Sequence, residues 1–245
     1  MVFHHRQRNI DHLIPTLKIS NHDIERVKDF TFLGITIDEN MSWNMHIQKI
    51  SNKISRNLGC LNRIKRFIPL NTRKLLYNSL ILPHLQFGIL AWGFQHNRVF
   101  KLQKRAMRIV SLSEYNAHTE PIFKRLNILK VKDLFNVALL KFQFKFKHER
   151  LPHYFTNMFT LEVVDHSHDT RTRNEPRLPV PRTARADDTI RHYLPIFLSS
   201  MPSLITDKIV THSEKGFAYY AKNKFLSDYS FICNIRNCAI CRRNL

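Results

Sequence analysis

Phe32-Leu33-Gly34-Ile35-Thr36-Ile37-Asp38-Glu39, read on through Trp43 and His46 into Ile47, Ile50, Ile54, Leu58, Leu61, Ile64 and Ile68, decides the fold of this chain. Up to Ile37 the apolar residues alternate, as in a strand with one covered face. Asp38-Glu39-Asn40 is a turn signal, and beyond it the apolar spacing changes to three and four residues, the period of an amphipathic helix. A strand pair therefore feeds a helix. Lys49, Lys53, Arg56 and Arg63 fall on a second face of that helix, away from its isoleucines and leucines.

Towards the amino end lie further β-rich pieces at Val2-Phe3, Leu17 to Ile19, Ile24 to Val27 and Phe30 to Ile37, punctuated by Asn-His-Asp and Asp-Glu-Asn turns. They are too few for a sheet that stands alone. Towards the carboxyl end, Asn71-Thr72 predicts the cap of a second helix that Pro83 kinks or ends. A third helix spans Asn97 to Leu112, with Val99, Leu102, Ala106 and Ile109 inward and Arg98, Lys101, Arg105 and Arg108 outward. Thr119-Glu120-Pro121 opens a short helix with a hydroxyl cap, closed at Ile128-Leu129. Asp133 to His148 is an aromatic helix, although Phe142, Phe144 and Phe146 also have the spacing of a strand. Between Asp165 and Asp188 the composition shifts to Ser, Thr, Arg, Pro and His, and helical patterning resumes over 190–198, 201–209 and 216–229 before a cysteine tail. The fold class is mainly α: a few amino-terminal antiparallel strands, a helical bundle and a second helical region.

Thirty-nine Lys and Arg against 19 Asp and Glu give a net charge of +20 and point to a polyanionic partner, with nucleic acid foremost. No apolar stretch approaches the roughly 20 residues of a membrane span, so no membrane partner is expected. The amino end is no signal peptide. Four cysteines, with Cys60 isolated, argue against a secreted disulfide framework and fit an intracellular, reducing compartment. With five glycines and no Gly-x-Gly-x-x-Gly or Walker-type run, a phosphate-cradling loop is excluded.

The words of the sequence add to its pattern. FLGITIDENMSWNMHIQKISNKISRNLGCLNRIKRFIPLNTRKLLYNSLILPHLQFGILAWG, residues 32–93, is followed by Leu102-Gln103-Lys104-Arg105-Ala106-Met107-Arg108-Ile109-Val110, Ala117-His118-Thr119-Glu120-Pro121-Ile122-Phe123 and Leu126-Asn127-Ile128-Leu129. His168 to Arg173 and Val180 to Thr183 continue the series. In this order they resemble the region after the catalytic palm in reverse transcriptases of non-LTR retrotransposons, the Jockey-like mobile elements. The resemblance implies that 1–43 is the end of the palm in β-hairpins and 44–112 a helical thumb-like region. It further implies a helical post-thumb region over 113–164, an Arg/Pro-rich loop over 165–189 and a helical tail with a terminal Cys cluster over 190–245. The implied partner is an RNA or DNA template-primer duplex, and the implied place of action is the nucleus.

Polymerases of this family hold two Mg²⁺ ions about 3.5 to 4 Å apart on paired carboxylates. Here the only Asp-Asp is Asp187-Asp188, which lacks the family's preceding aromatic and reads as a helix cap, while Asp38-Glu39 reads as a turn pair. No catalytic residue is therefore assigned, and Mg²⁺ is expected only in an upstream palm. The expectation is a carboxyl-terminal fragment of a reverse transcriptase that binds template-primer. The alternatives are a domesticated or stand-alone nucleic-acid-binding protein and a basic scaffold for acidic proteins.

The candidate nucleic-acid-binding residues are the two rows Lys49, Lys53, Arg56, Arg63 and Arg98, Lys101, Arg105, Arg108, because cations at helical spacing track phosphates and neither row has acidic partners in its own helix. Trp43, Trp92 and the Phe residues of 135–146 read as packing rather than base stacking. His4-His5 and His166-x-His168 read as solvent-exposed. Cys233, Cys238 and Cys241 include the Cys-x₂-Cys spacing of a zinc knuckle, but a structural site needs a fourth ligand, which only His212 or another chain would supply. Free cysteines are the alternative.

Overall fold

The protein is seen here as a computed structural model, which describes residues 1–3, 18–155, 189–201, 208–209 and 212–230. Two antiparallel hairpins come first: β1 (Lys18–Ile19) with β2 (His22–Asp23), and β3 (Asp29–Phe32) with β4 (Ile35–Asp38). Helices follow: α1 (Asn44–Ile64), α2 (Leu70–Leu80), α3 (Leu82–Gln86), α4 (Ile89–Trp92), α5 (Asn97–Ser111), α6 (Glu120–Leu126), α7 (Val131–Lys147), α8 (Ile190–Ser199) and α9 (Glu214–Ser227). The chain is mainly α, as its apolar spacing predicts.

Several boundaries move for physical reasons. Phe30 to Ile37 is not one piece but a hairpin turned at Leu33-Gly34, both at positive φ (46° and 82°), with Phe32 opposite Ile35. A leucine in the first turn position hides the usual Asn-Gly signal. Ile24 to Val27 and Val2-Phe3 are not strands. Helix α2 begins at Leu70 with Pro69 as its cap residue, so Asn71-Thr72 lies inside the first turn. Thr119 precedes α6 but its hydroxyl caps nothing; it is buried instead. Ser213 does cap α9, accepting from Gly216 N–H at 3.2 Å. Pro83 falls in the first turn of α3, just past the break at Ile81.

The alternation in the β3–β4 hairpin covers the opposite side from the one its apolar residues suggest. Thr36 and Asp38 are buried, whereas Phe30 and Phe32 are exposed. The polar side can be covered because each group has a partner. Thr36 N–H donates to His46 Nδ1 (3.2 Å), and Asp38 accepts from the backbone N–H groups of Asn40 and Ser42 and from the Ser42 hydroxyl (3.0, 2.9 and 2.8 Å). Asp38 thus shapes the turn that delivers the chain to Trp43, in left-handed backbone at φ 60°, and α1.

Helix α1 buries Ile47, Ile50, Ile54, Leu58 and Leu61, each worth about 1.5–3 kcal/mol when removed from water. It packs on α5, α2, α3 and β4. Helix α7 is enclosed by α3, α4, α5 and α9, so Phe142 and Phe144 are both buried and the strand-like spacing needs no strand. Phe144 stacks on Phe217 of α9 at 5.4 Å between centroids. Trp92 is fully buried and donates Nε1–H to Phe87 O at 2.8 Å, a packing role. The hairpin seats on the α3–α4 junction: a Cβ on Gly88, at φ +60°, would lie 2.7 Å from Ile35 Cδ1.

Candidate nucleic-acid interface

Because α1 puts its apolar residues against α5 and α2, the cations between them in sequence face outward. Lys49, Lys53, Arg56 and Arg63 are all exposed, and exposed Cys60 occupies the same line one turn before Arg63. The row is not wholly without acid. Lys49 Nζ lies 3.9 Å from Asp29 Oδ2 and donates to Thr31 Oγ1 at 3.3 Å, which ties it to the hairpin. Neither row has an acid in its own helix, as the spacing shows, but Lys49 finds one outside it: Asp29 comes from β3, out of reach of any reading of one helix at a time. Lys53, Arg56 and Arg63 have no carboxylate partner among the described residues.

The field of this row acts on nearby histidines. Burial lowers the His46 pKa below its ordinary value, and Lys49 and Lys53 lower it further. His84 of α3 is lowered by burial and then by Lys53. His46 is held neutral with Nδ1 accepting, while its buried Nε2 finds no partner among the described residues.

On α5, Arg98, Lys101 and Arg105 are exposed, but Arg108 departs from the row. It is partly buried and donates Nε–H to Ala117 O at 2.8 Å, and desolvation lowers its pKa. Cys233, Cys238, Cys241 and Asp187-Asp188 lie outside the described residues, as do His4-His5 and His166-x-His168. Among the described residues no three His, Cys, Asp or Glu side chains are placed to hold a metal ion. No helix there is long and apolar enough to cross a membrane.

Two buried polar residues escaped the sequence reading. Arg73 of α2 donates Nε–H to Val110 O (2.7 Å) and Nη1–H to Lys65 O (2.8 Å) and Ile68 O (2.7 Å), joining the ends of α1 and α5. Gln103 of α5 donates to Tyr77 Oη and Leu129 O and accepts from Val131 N–H (3.0, 2.9 and 2.8 Å), so it links α2, α5 and the start of α7. The signal was a polar residue on the apolar phase of a helix: Gln103 follows Val99 and precedes Ala106 and Met107, all buried.

No family model matches the chain, and no solved structure matches it. Curated relatives do. Over 133 residues, 51% of this chain and 14% of the relative, it is 26% identical to the RNA-directed DNA polymerase from mobile element jockey of Drosophila melanogaster. It is 26% identical over 110 residues to the probable RNA-directed DNA polymerase from transposon BS of the same fly, 42% of this chain and 12% of that protein. The putative 115 kDa protein in type-1 retrotransposable element R1DM, also from D. melanogaster, is 29% identical over 82 residues, 32% of this chain and 8% of its own length. The chain therefore spans at most about a seventh of these relatives, and over that span it is similar to the RNA-directed DNA polymerases of non-LTR retrotransposons.

Proposed function

We propose that this chain corresponds to a carboxyl-terminal part of a retrotransposon-type reverse transcriptase and grips template-primer nucleic acid with no catalysis of its own. The observation that carries the reading is the exposed cationic line of α1, in which Lys53, Arg56 and Arg63 have no carboxylate partner among the described residues. A cation with no protein partner is free to replace the counterions of a phosphate backbone. The thumb-like region of 44–112 would hold the duplex, with α1 as its contact helix. The hairpin before it exposes Phe30, Phe32 and Leu33 beside exposed Phe87, an apolar side that fits coverage by an upstream polymerase domain. Any Mg²⁺ chemistry would then belong to that domain.

Salt dependence tests the reading. On a short RNA–DNA hybrid, the slope of log K against log salt should fall by about 2 to 3 when Lys53, Arg56 and Arg63 become Gln, at about 0.9 per phosphate contact. Lys49→Gln alone should change it by much less than one contact, because Asp29 already engages that ammonium. An unchanged slope in the triple variant would contradict the interface.

A further inference from the structure

Between Glu39 and Glu114 the sequence holds no Asp or Glu, so helices α1 to α5 carry cations and no carboxylate. The turn from α1 to α2 continues the cationic line: Phe67 comes one helical turn after Arg63, with exposed Arg66 beside it. Arg66 has no carboxylate partner among the described residues. Phe67 is 86% exposed, and exposed Ile64 and Leu70 flank it.

The backbone itself holds the Phe67 ring out. Phe67 N–H donates to Ile64 O at 2.9 Å, and Arg73, buried behind the turn, donates from Nη1 to both Lys65 O and Ile68 O, at 2.8 and 2.7 Å. Its Nε–H ties the same guanidinium to Val110 O of α5. Ile68 packs inward against the core, so its neighbour Phe67 is turned to solvent on a pinned loop. A single exposed apolar side chain is ordinary; three on one pinned turn, led by an aromatic, mark a contact surface. Its partner must be anionic, because α1 to α5 offer no carboxylate to a basic one, and it must present apolar faces to the ring. Unpaired nucleotides supply both, as phosphates and as bases that stack on aromatic side chains.

We infer that the α1–α2 turn is a stacking platform for the single strand that continues from a duplex held along α1, with the Phe67 ring on an unpaired base and Arg66 on its phosphate. The platform deepens the proposed function and rests on its reading of α1 as the duplex contact helix.

The test is anisotropy titration of the full chain with three RNA–DNA hybrids: one blunt, and two whose RNA strand runs on by about four unpaired nucleotides at the 5′ or the 3′ end. At least one extension should tighten binding about fivefold or more. Phe67→Leu keeps an apolar side chain without a π face and, at so exposed a position, should keep the urea midpoint of the parent. It should lose the gain from the extension while binding the blunt hybrid with unchanged affinity and salt slope. Phe67→Trp should keep the gain, and Arg66→Gln should weaken it. Equal affinity of the parent for all three hybrids would overturn the platform and leave the turn to a protein partner. A gain that survives in Phe67→Leu would overturn stacking as its source. The Lys53/Arg56/Arg63 variant separates the two readings: an unchanged salt slope there contradicts α1, whereas the ratio of extended to blunt affinity tests the turn.

Discussion

At the scale of single residues, the buried polar groups differ sharply in how they are satisfied. Arg73 is a buried cation with no carboxylate partner among the described residues, held by the carbonyls of Val110, Lys65 and Ile68. Arg73→Met leaves those oxygens without their donor and should destabilise the chain by at least about 2 kcal/mol, read as a lower urea midpoint at unchanged slope. His46 behaves differently. Its folded-state pKa is lowered from 6.5, so the unfolded chain binds the proton more readily. The stability it contributes is present above about pH 6.5 and is lost as pH falls towards the lowered folded value. His46→Asn keeps an acceptor and cannot titrate, so its stability should fall less between about pH 7 and 5 than that of the parent. Equal slopes for the two proteins would show that another group governs that range. Asp133, whose pKa burial raises, acts in the opposite sense and is common to both proteins.

At the scale of elements, periodicity located the helices because burial follows it closely. Ile47 through Leu61 on α1 and Val99 through Ile109 on α5 are inside where the spacing puts them, apart from a half-covered Leu102. Alternation was a poorer guide in the hairpin, where a hydrogen bond donated to His46 and others accepted from Ser42 let Thr36 and Asp38 go inside in place of Phe30 and Phe32. The turn at Leu33-Gly34 was hidden by the leucine ahead of its glycine, and the start of α2 at Leu70 because Pro69 stands where a hydroxyl or amide cap is usual. Arg108 belonged to a cationic row by spacing and left it in space, since the carbonyl of Ala117 is supplied by a loop that no helical pattern describes. The seat of the hairpin on the helices makes a sharp prediction. Gly88→Ala forces a side chain into left-handed backbone and against Ile35, and should cost about 1–3 kcal/mol. Hydrogen exchange should quicken in Phe32–Thr36 before it does in α7; equal protection of the two would show that the hairpin does not depend on this junction.

For the whole molecule, charge and architecture point the same way. The excess of +20 is not absorbed internally, and the ion pairs of the described residues engage Lys49 alone among the exposed cations of the two rows. Net charge was legible from composition, and so was the outward face of α1. The pinned turn at Phe67 was not, because the Arg73 hydrogen bonds that hold it join α2 to the ends of α1 and α5. On the proposed reading, the chain alone should incorporate no nucleotide on a primed RNA template with Mg²⁺, and heat-sensitive incorporation would contradict it. The most direct measurement uses Cys60, which sits in line with Lys53, Arg56 and Arg63. With Cys233, Cys238 and Cys241 changed to Ser, Cys60 is the only thiol of the chain, and its rate of maleimide alkylation reports cover of the α1 face. Saturating RNA–DNA hybrid at low salt should slow alkylation several-fold, and high salt that releases the hybrid should restore it. An unchanged rate while anisotropy shows the hybrid fully bound would place the duplex elsewhere and contradict the assignment of α1 as its contact helix.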